Sequence, residues 1–130
     1  MPRYVDGFVI PIPKSKLATY RKMAKWGAKT WMKHGALEYF ECVGDDLKTP
    51  FGLPFPKLAK TKPGETVVFS WIVYKSKAHR DQVNKKVMTE PGMMDMAKSM
   101  PFDVKRMSMG GFEVFVEAAA GKRKTAKKAR

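Results

Sequence analysis

The sequence contains few of the residues that build cross-links and metal sites. Its 130 residues include one cysteine, Cys42, and two histidines. One cysteine excludes an intramolecular disulfide, and so few cysteines and histidines leave no metal-ligand spacing. We therefore expect no metal and no cofactor, and the cysteine usage is typical of a reducing compartment such as the cytoplasm.

Long hydrophobic runs are also missing. No stretch approaches the roughly 18 apolar residues of a membrane-spanning helix. The apolar run near the start of the chain is interrupted by Pro11 and Pro13 and does not resemble the hydrophobic region of a signal peptide. We expect a cytoplasmic protein with no membrane partner.

Acidic residues are scarce relative to basic ones. Twelve Asp and Glu against 26 Lys and Arg give a net charge of +14. The final ten residues contain no acid and six bases, Lys122, Arg123, Lys124, Lys127, Lys128 and Arg130. Because like charges in a block repel and stay solvated, we expect residues 119–130 to form a flexible tail. Such a tail binds RNA or DNA nonspecifically, or serves only solubility.

Two periodicities divide residues 1–118 into the elements of one domain. Alternating aromatic and β-branched residues predict strands, and apolar residues three and four apart predict helices. The predicted strands are 3–12, 36–43, 66–74 and 104–117, and the predicted helices are 15–34 and 76–90. The order β-α-β-β-α-β is that of the ferredoxin-like α+β fold.

Local signals set the ends of these elements. We expect Pro11 and Pro13 to end the first strand, since proline cannot donate to a sheet ladder. Ser15 and Ser76 are predicted N-caps, and the last strand is expected to bulge at Gly110-Gly111. Residues 44–65 form a long loop rich in proline and glycine, a type that often forms a lid or a binding loop.

The strand at 66–74 is apolar on both faces. Phe69 and Trp71 lie on one face, and Ile72 and Tyr74 on the other. Two helices can cover only one face of the sheet, and a monomer would expose the other as a large apolar patch. We expect a second copy to cover it, forming a homodimer.

Four blocks of the sequence fall in the order of one known family. They are YVDGFVIPIP, HGALEYFECVGDD, FSWIVYKSKAHRDQVNKKVM and SMPFDVKRMSMGGFEVFVE. Over residues 3–117 the chain resembles the YbaA-like family of small bacterial proteins of unknown function, and the basic tail departs from it. The resemblance implies a dimeric α+β barrel, in which two ferredoxin-like sheets face each other. It supplies no catalytic residues, and its superfamily includes cofactor-free monooxygenases, haem-degrading enzymes and binding proteins.

The triplet His79-Arg80-Asp81 opens the second helix. It is not a kinase catalytic loop, because Asn84 follows the Asp by three positions rather than five. His79 lies on the helix face of Val83 and is either a half-buried structural residue or a proton shuttle in a pocket. Arg80 forms an ion pair with Asp81, Glu41 or Glu90, or holds a carboxylate or phosphate.

Isolated polar residues elsewhere raise similar alternatives. Asp6 lies in the middle of a strand, where a carboxylate needs a partner. We expect either an edge position or an ion pair with Lys105 or Arg106, and the alternative is a pocket acid or base with a raised pKa. Glu41 raises the same question on the second strand. His34 suits a helix C-terminus. Trp26 lies among the lysines of the first helix. We expect a surface ring shielded by lysine stems, and the alternatives are a dimer or crystal contact or an aromatic ring in a basic surface that binds nucleic acid.

Three functions are compatible with these features. The favoured one is a small-ligand pocket between the sheet and the second helix, with candidate residues Phe8, Trp71, His79, Arg80, Val83, Met93, Met94 and Met96. The second is a cofactor-free oxygenase or isomerase that uses His79, Asp6 or Tyr74, and its signature would be a closed apolar cavity with a polar pair inside. The third is an RNA- or DNA-associated protein acting through its basic surface and tail.

Overall fold

An antiparallel sheet of four strands forms the centre of the computed structural model, which describes residues 1–121. The strands follow the spatial order β2-β3-β1-β4, that of the ferredoxin-like fold. Their bounds are β1 Tyr4–Pro13, β2 Glu38–Val43, β3 Glu65–Tyr74 and β4 Ser108–Glu113. The predicted α+β class and the β-α-β-β-α-β order are confirmed. The six basic residues of the tail, from Lys122 to Arg130, lie outside the described residues.

Four helices accompany the sheet. The two long ones are α1 Leu17–Lys33 and α3 Lys77–Val87, and the two short ones are α2 Phe55–Ala59 and α4 Met93–Lys98. The prediction placed α2 within an irregular loop and gave the α4 region as irregular or short helix. None of the helices within residues 1–121 is both long and apolar enough to cross a membrane.

Of the two prolines expected to end β1, Pro13 is its last residue, whereas Pro11 lies inside it. Pro11 pairs with Val67 and Pro13 with Glu65, so the strand continues through Pro11. The ladder with β4 stops at Val9, which leaves that side of β1 unpaired further along. Pro11 and Pro13 are two residues apart, so their nitrogens face the same side, and a missing N–H costs nothing at an unpaired edge.

The two predicted serine caps have different outcomes. The Ser76 hydroxyl accepts a hydrogen bond from the His79 N–H at 3.1 Å, which confirms it as the N-cap of α3. The prediction for Ser15 is wrong: it lies inside a 3-10 turn, Lys14–Lys16, and α1 begins at Leu17 with no side-chain cap. The Lys14 N–H donates to the Gly64 carbonyl at 2.9 Å, so the chain is still tied to the loop before β3 at this point.

The last strand is shorter than predicted and has no bulge. Val104–Arg106 forms a 3-10 turn whose Lys105 N–H is capped by the Asp103 side chain at 3.0 Å. Gly110 and Gly111 pair with Gly7 and Asp6 in unbroken register. The Tyr4 ring occupies the space that a Cβ on Gly111 would need, so close packing accounts for this glycine.

The two faces of the sheet have different surroundings. On the helix side, Ile72, Tyr74, Val83 and Val87 form a buried cluster, and Ile10, Ile12 and Val68 form a second one. On the opposite side, which we call the open face, large aromatic rings remain exposed: Phe40 at 43%, Phe69 at 44% and Phe112 at 62%. Trp71 lies among them, stacked on Phe40 with ring centroids 4.9 Å apart.

Candidate functional site

A cavity of about 300 Å³ lies between the helix side of the sheet and α1, α3 and α4. On β1 and β3 the residues of even number, such as Asp6, Phe8, Ser70 and Ile72, point into it because side chains alternate along a strand. Small-molecule sites typically have volumes of about 300 to 1,000 Å³, and this cavity lies at the lower end of that range. The cavity is therefore the candidate site, with the sheet as its floor and the helices and loops as its roof.

The roof is built largely from methionine. Seven of the ten methionines line the cavity: Met23, Met88, Met93, Met96, Met100, Met107 and Met109. Trp26 and Phe102 complete this apolar lining. Methionine is unbranched and polarisable, so such a wall adapts to the shape of an occupant and makes favourable contacts with aromatic rings.

A carboxylate between two tyrosines forms one polar part of the floor. The Tyr20 hydroxyl donates to Glu41 Oε1 at 2.7 Å, and the Tyr39 hydroxyl donates to Oε2 at 2.8 Å. Burial, and then the charge of Glu41, raise the pKa of both tyrosines above the ordinary value. Both phenols therefore stay protonated and act as donors, each satisfying one carboxylate oxygen.

A glycine allows helix α1 to pack closely against the Tyr39 hydroxyl. A Cβ on Gly27 would lie 2.8 Å from the Tyr39 hydroxyl oxygen. Gly27 is buried in the middle of α1, where glycine lowers helix stability relative to alanine by roughly 0.5 to 1 kcal/mol. Close contact between the helix and the Tyr39 hydroxyl accounts for glycine at this position.

A second polar cluster centres on Asn84 of α3. Its Oδ1 accepts the Trp31 indole N–H at 3.1 Å and lies 3.3 Å from the Tyr74 hydroxyl. Burial, and then the charge of Asp6, raise the pKa of Tyr74. Asn84 and Trp31 line the cavity, whereas Tyr74 is fully buried beneath it.

Asp6 is paired with Arg80, and the expectation of Lys105 or Arg106 is wrong. Arg80 Nη1 donates to Asp6 Oδ1 at 2.5 Å, and Arg80 Nε donates to Asp81 at 2.7 Å. Arg106 instead contacts Glu65 at 2.7 Å, because the 3-10 turn directs it toward the start of β3. Asp6 is only 4% exposed and lines the cavity, so a buried ion pair adjoins the site.

Of the other expected partners of Arg80, Asp81 is a partner, whereas Glu41 and Glu90 are engaged elsewhere. Glu41 accepts from the two tyrosines. Glu90 pairs with Lys33 at 3.1 Å and with His34 Nε2 at 2.6 Å. His34 lies at the C-terminal end of α1, as its sequence position predicts.

His79 lies beside the site rather than in it. Its Nδ1 accepts the Lys75 backbone N–H at 3.0 Å, and its ring packs edge-on against Tyr74 with centroids 6.0 Å apart. Burial, followed by the charges of Lys75 and Lys86, lowers the pKa of His79, while a hydrogen bond to the Gly35 backbone opposes that change. Both ring nitrogens therefore face backbone groups.

The other predicted pocket residues divide into two groups. Phe8, Met93 and Met96 line the cavity. Trp71 does not, because it belongs to the odd-numbered set of β3 and points to the open face. Val83 belongs to the face of α3 that is buried in the core, and Met94 of α4 is 67% exposed.

Trp26 differs from the expected surface ring. It is half-buried and lines the cavity, and a Cβ on Gly92 would lie 3.6 Å from its ring. Sequence reasoning missed several other lining residues, among them Tyr20, Tyr39 and Asn84. The tyrosines carry a usable signal, since they lie on predicted inward faces where a hydroxyl needs a partner.

The part of the chain covered by residues 1–121 contains no group of three or more His, Cys, Asp or Glu side chains arranged to hold a metal ion. The polar groups around the cavity are carboxylates, tyrosine hydroxyls, the Ser70 hydroxyl, the Trp31 indole N–H and one amide. Such groups can orient a ligand by hydrogen bonds, and a carboxylate can accept a proton from it.

Solved structures share this architecture at low sequence identity. A dimeric ferredoxin-like protein from an uncultured marine organism superposes with a TM-score of 0.55 at 10% identity, covering 91% of this chain and 100% of the other. A candidate antibiotic biosynthesis monooxygenase from Nitrosomonas europaea superposes with a TM-score of 0.55 at 9% identity, covering 90% and 94%. These likenesses support the ferredoxin-like fold.

Sequence comparison gives a nearer relationship. The chain is 44% identical over 115 residues to the uncharacterised protein YbaA of Escherichia coli K12, covering 88% of this chain and 98% of YbaA. Residues 3–104 match the family described as a protein of unknown function, DUF1428. The resemblance seen in the four sequence blocks is thus confirmed, and the chain belongs to the DUF1428 family, which includes YbaA-like proteins of unknown function.

Proposed function

We propose that the protein binds a small, mainly apolar ligand in the cavity. The observation that carries this proposal is the pairing of a methionine-rich roof with a small number of hydrogen-bonding groups around the cavity. A dry apolar cavity of roughly 150 Å³ holds one benzene molecule, so a volume of about 300 Å³ suits a bicyclic compound. The apolar body would contact the methionines, and a polar end would meet the hydrogen-bonding groups.

A cavity-filling variant tests this proposal. Ala24 of α1 lines the cavity, whereas Ala18 lies exposed on the same helix and outside it. The bicyclic hydrocarbon tetralin is titrated into protein labelled with ¹³C at the methionine methyl groups. We expect shifts in the signals of the roof methionines, loss of those shifts in Ala24→Phe, and their retention in Ala18→Phe.

The outcome is read directly from these spectra. If tetralin moves none of the roof methionine signals in the wild-type protein, the proposal fails. If Ala24→Phe and Ala18→Phe respond alike, binding occurs elsewhere and the cavity is not the site. A folded state of both variants is checked from their far-ultraviolet circular dichroism.

We further propose a homodimer that uses the open face. The exposed rings of Phe40, Phe69 and Phe112 form an apolar patch of a kind that soluble monomers rarely expose. A structural neighbour described as a dimeric ferredoxin-like protein supports association into a dimer. A stable interface would bury about 1,200 Å² or more in total. Sedimentation is expected to give a dimer, with Phe69→Lys shifting it to monomer, and a folded wild-type monomer at micromolar concentration contradicts the proposal.

A cofactor-free oxygenase is the second candidate, favoured by one observation. A carboxylate, Glu41, lies on the floor of an apolar cavity beside two phenols, and Asp6 adjoins it. In such an enzyme the carboxylate removes a proton from an electron-rich substrate, which then supplies the electrons that reduce dioxygen. Of the predicted catalytic residues, Asp6 lines the cavity, Tyr74 lies beneath it and His79 lies outside it.

Dioxygen uptake separates this candidate from a pure binding protein. A dihydroxynaphthalene is the probe, because it combines a bicyclic body with electron-rich hydroxyl-bearing rings. Uptake above the uncatalysed rate that Glu41→Gln abolishes would support an oxygenase. Binding without uptake would support the ligand-binding function alone.

Polyanion binding is a separate proposal. On α1, the exposed residues Lys22, Lys25, Lys29 and Lys33 supply positive charge, and the basic tail adds to it. Trp26 does not contribute an exposed ring to this surface, because it lines the cavity. A nonspecific, salt-dependent affinity for RNA or DNA is the expected result.

A further inference from the structure

The side-chain amide of Asn84 is held in one orientation. The indole nitrogen of Trp31 can only donate a hydrogen bond, so the atom of Asn84 that lies 3.1 Å from it must be the oxygen. The Tyr74 hydroxyl lies 3.3 Å from the same oxygen. With the oxygen committed, the amide nitrogen Nδ2 is turned the other way.

That nitrogen has no protein partner. Among residues 1–121, no group accepts a hydrogen bond from Asn84 Nδ2. No buried side-chain nitrogen or oxygen in this part of the chain lacks a partner. Because Nδ2 has none, it is solvent-accessible rather than sealed in the core. Asn84 lines the cavity, and Nδ2 is the unpaired and accessible end of its side chain.

The carboxylates and phenols around the cavity already have partners, and the Ser70 hydroxyl lies beside that of Tyr20. Glu41 accepts from Tyr20 and Tyr39, and both of those phenol protons are used. Asp6 accepts from Arg80, which is also bound to Asp81. The Asn84 amide is thus a hydrogen-bond donor without an acceptor, whereas the carboxylates and phenols around it are paired.

We infer that Asn84 Nδ2 orients the ligand by donating to an oxygen acceptor on it, and that the ligand class is a bicyclic compound bearing a carbonyl group. This inference rests on the proposed ligand-binding function. Trp31 and Tyr74 act as positioning residues, because they keep the amide oxygen away from the ligand. The methionine roof takes the ring system, and the amide fixes the end that carries the oxygen.

A pair of probes with the same ring system tests the inference. 1-Tetralone has a ketone where tetralin has a methylene group, and neither compound donates a hydrogen bond. One net hydrogen bond corresponds to about a fivefold gain in affinity, so we expect 1-tetralone to bind about fivefold more tightly than tetralin. Calorimetry or methionine methyl spectra give both dissociation constants.

Two variants of α3 locate the donor. Asn84→Asp keeps the oxygen that accepts from Trp31 and removes the N–H groups, so the preference for 1-tetralone should disappear. Gln82→Glu makes the same amide-to-carboxylate change at an exposed position of the same helix, so the preference should remain. If Asn84→Asp does not fold, the ¹⁵N-labelled side-chain amide of Asn84 in the wild-type protein gives the answer, since its signals should move with 1-tetralone far more than with tetralin.

Each outcome has a distinct meaning. If neither probe binds, the proposed function fails and the inference fails with it. If both bind equally, or if Asn84→Asp keeps the preference for the ketone, the ligand-binding function stands and the role of Asn84 is refuted. Loss of the preference in Asn84→Asp alone supports the inference.

Discussion

Removing the partner of the buried carboxylate Asp6 should be among the most damaging single changes in the fold. Asp6 is 4% exposed and receives a hydrogen bond from Arg80 at 2.5 Å. In Arg80→Met the apolar stem of the side chain is largely retained, while the guanidinium is lost. The carboxylate would then remain in the interior without its counter-ion.

The expected magnitude follows from this burial. Breaking a buried ion pair from one side typically costs about 3 to 5 kcal/mol, since an uncompensated charge is left behind. Arg80 also lies over the Tyr4 ring, 4.9 Å from its centroid, and that contact adds about 0.5 to 1 kcal/mol at a partly exposed site. We therefore expect Arg80→Met to lower the free energy of unfolding by about 3 kcal/mol or more.

Urea unfolding at one fixed protein concentration measures this loss, because association would otherwise change the apparent stability. Asp81→Asn is the matched control: it breaks the second ion pair of Arg80, whose carboxylate is 61% exposed, and should cost at most about 1 kcal/mol. Asp6→Asn combined with Arg80→Met removes the stranded charge and should recover part of the loss. If Arg80→Met alone costs less than about 1 kcal/mol, the ion pair does not hold Asp6 in the interior and the reasoning is refuted.

Three further predictions concern acid, the histidine and the tail. The hydrogen bonds from Arg106 lower the pKa of Glu65 from 4.5 to about 2, so Glu65 contributes stability that is present above pH 4.5 and is lost as the pH falls toward 2. Urea unfolding between pH 2 and 6 should show a shallower acid loss in Glu65→Gln, and equal slopes would contradict this. His79→Gln should lower the free energy of unfolding by roughly 1 kcal/mol and leave tetralin binding unchanged. An NMR-measured pKa of His79 that moves on ligand addition would instead assign it to the site. Deleting residues 121–130 should leave the melting temperature almost unchanged and weaken RNA retention, most visibly at low salt, whereas a clear loss of stability would show that the tail docks.

The strands and main helices could be predicted because each rests on a local pattern. The alternation from Val67 to Tyr74 defines β3, and the Ser76 hydroxyl marks the start of α3. Pro11 misled the prediction, since the tolerance of a proline inside β1 depends on where the neighbouring strand ends. That information lies in the sequence of β4 and in its register, not in β1 itself.

The site was harder to predict because it depends on register between strands. Phe8 pairs with Ser70, so Phe8 shares its face with Ser70, and Trp71 must point the other way. Neither strand alone contains this offset. Asn84 likewise carries no local signal, since a polar residue on a helix usually faces solvent, and only contact with Trp31 gives it a defined orientation.

The two proposed surfaces lie on opposite faces of the same sheet, which makes them separable by experiment. Along β3, Ser70 and Ile72 line the cavity, whereas Phe69 belongs to the open face. Because adjacent side chains point to opposite faces, Phe69→Lys perturbs association without entering the cavity, and Ile72→Ala enlarges the cavity without reaching the open face. If ligand binding requires only the cavity of one protomer, Phe69→Lys should leave the affinity for tetralin unchanged while it dissociates the dimer. A loss of affinity in that variant would mean that the second copy helps to shape the site.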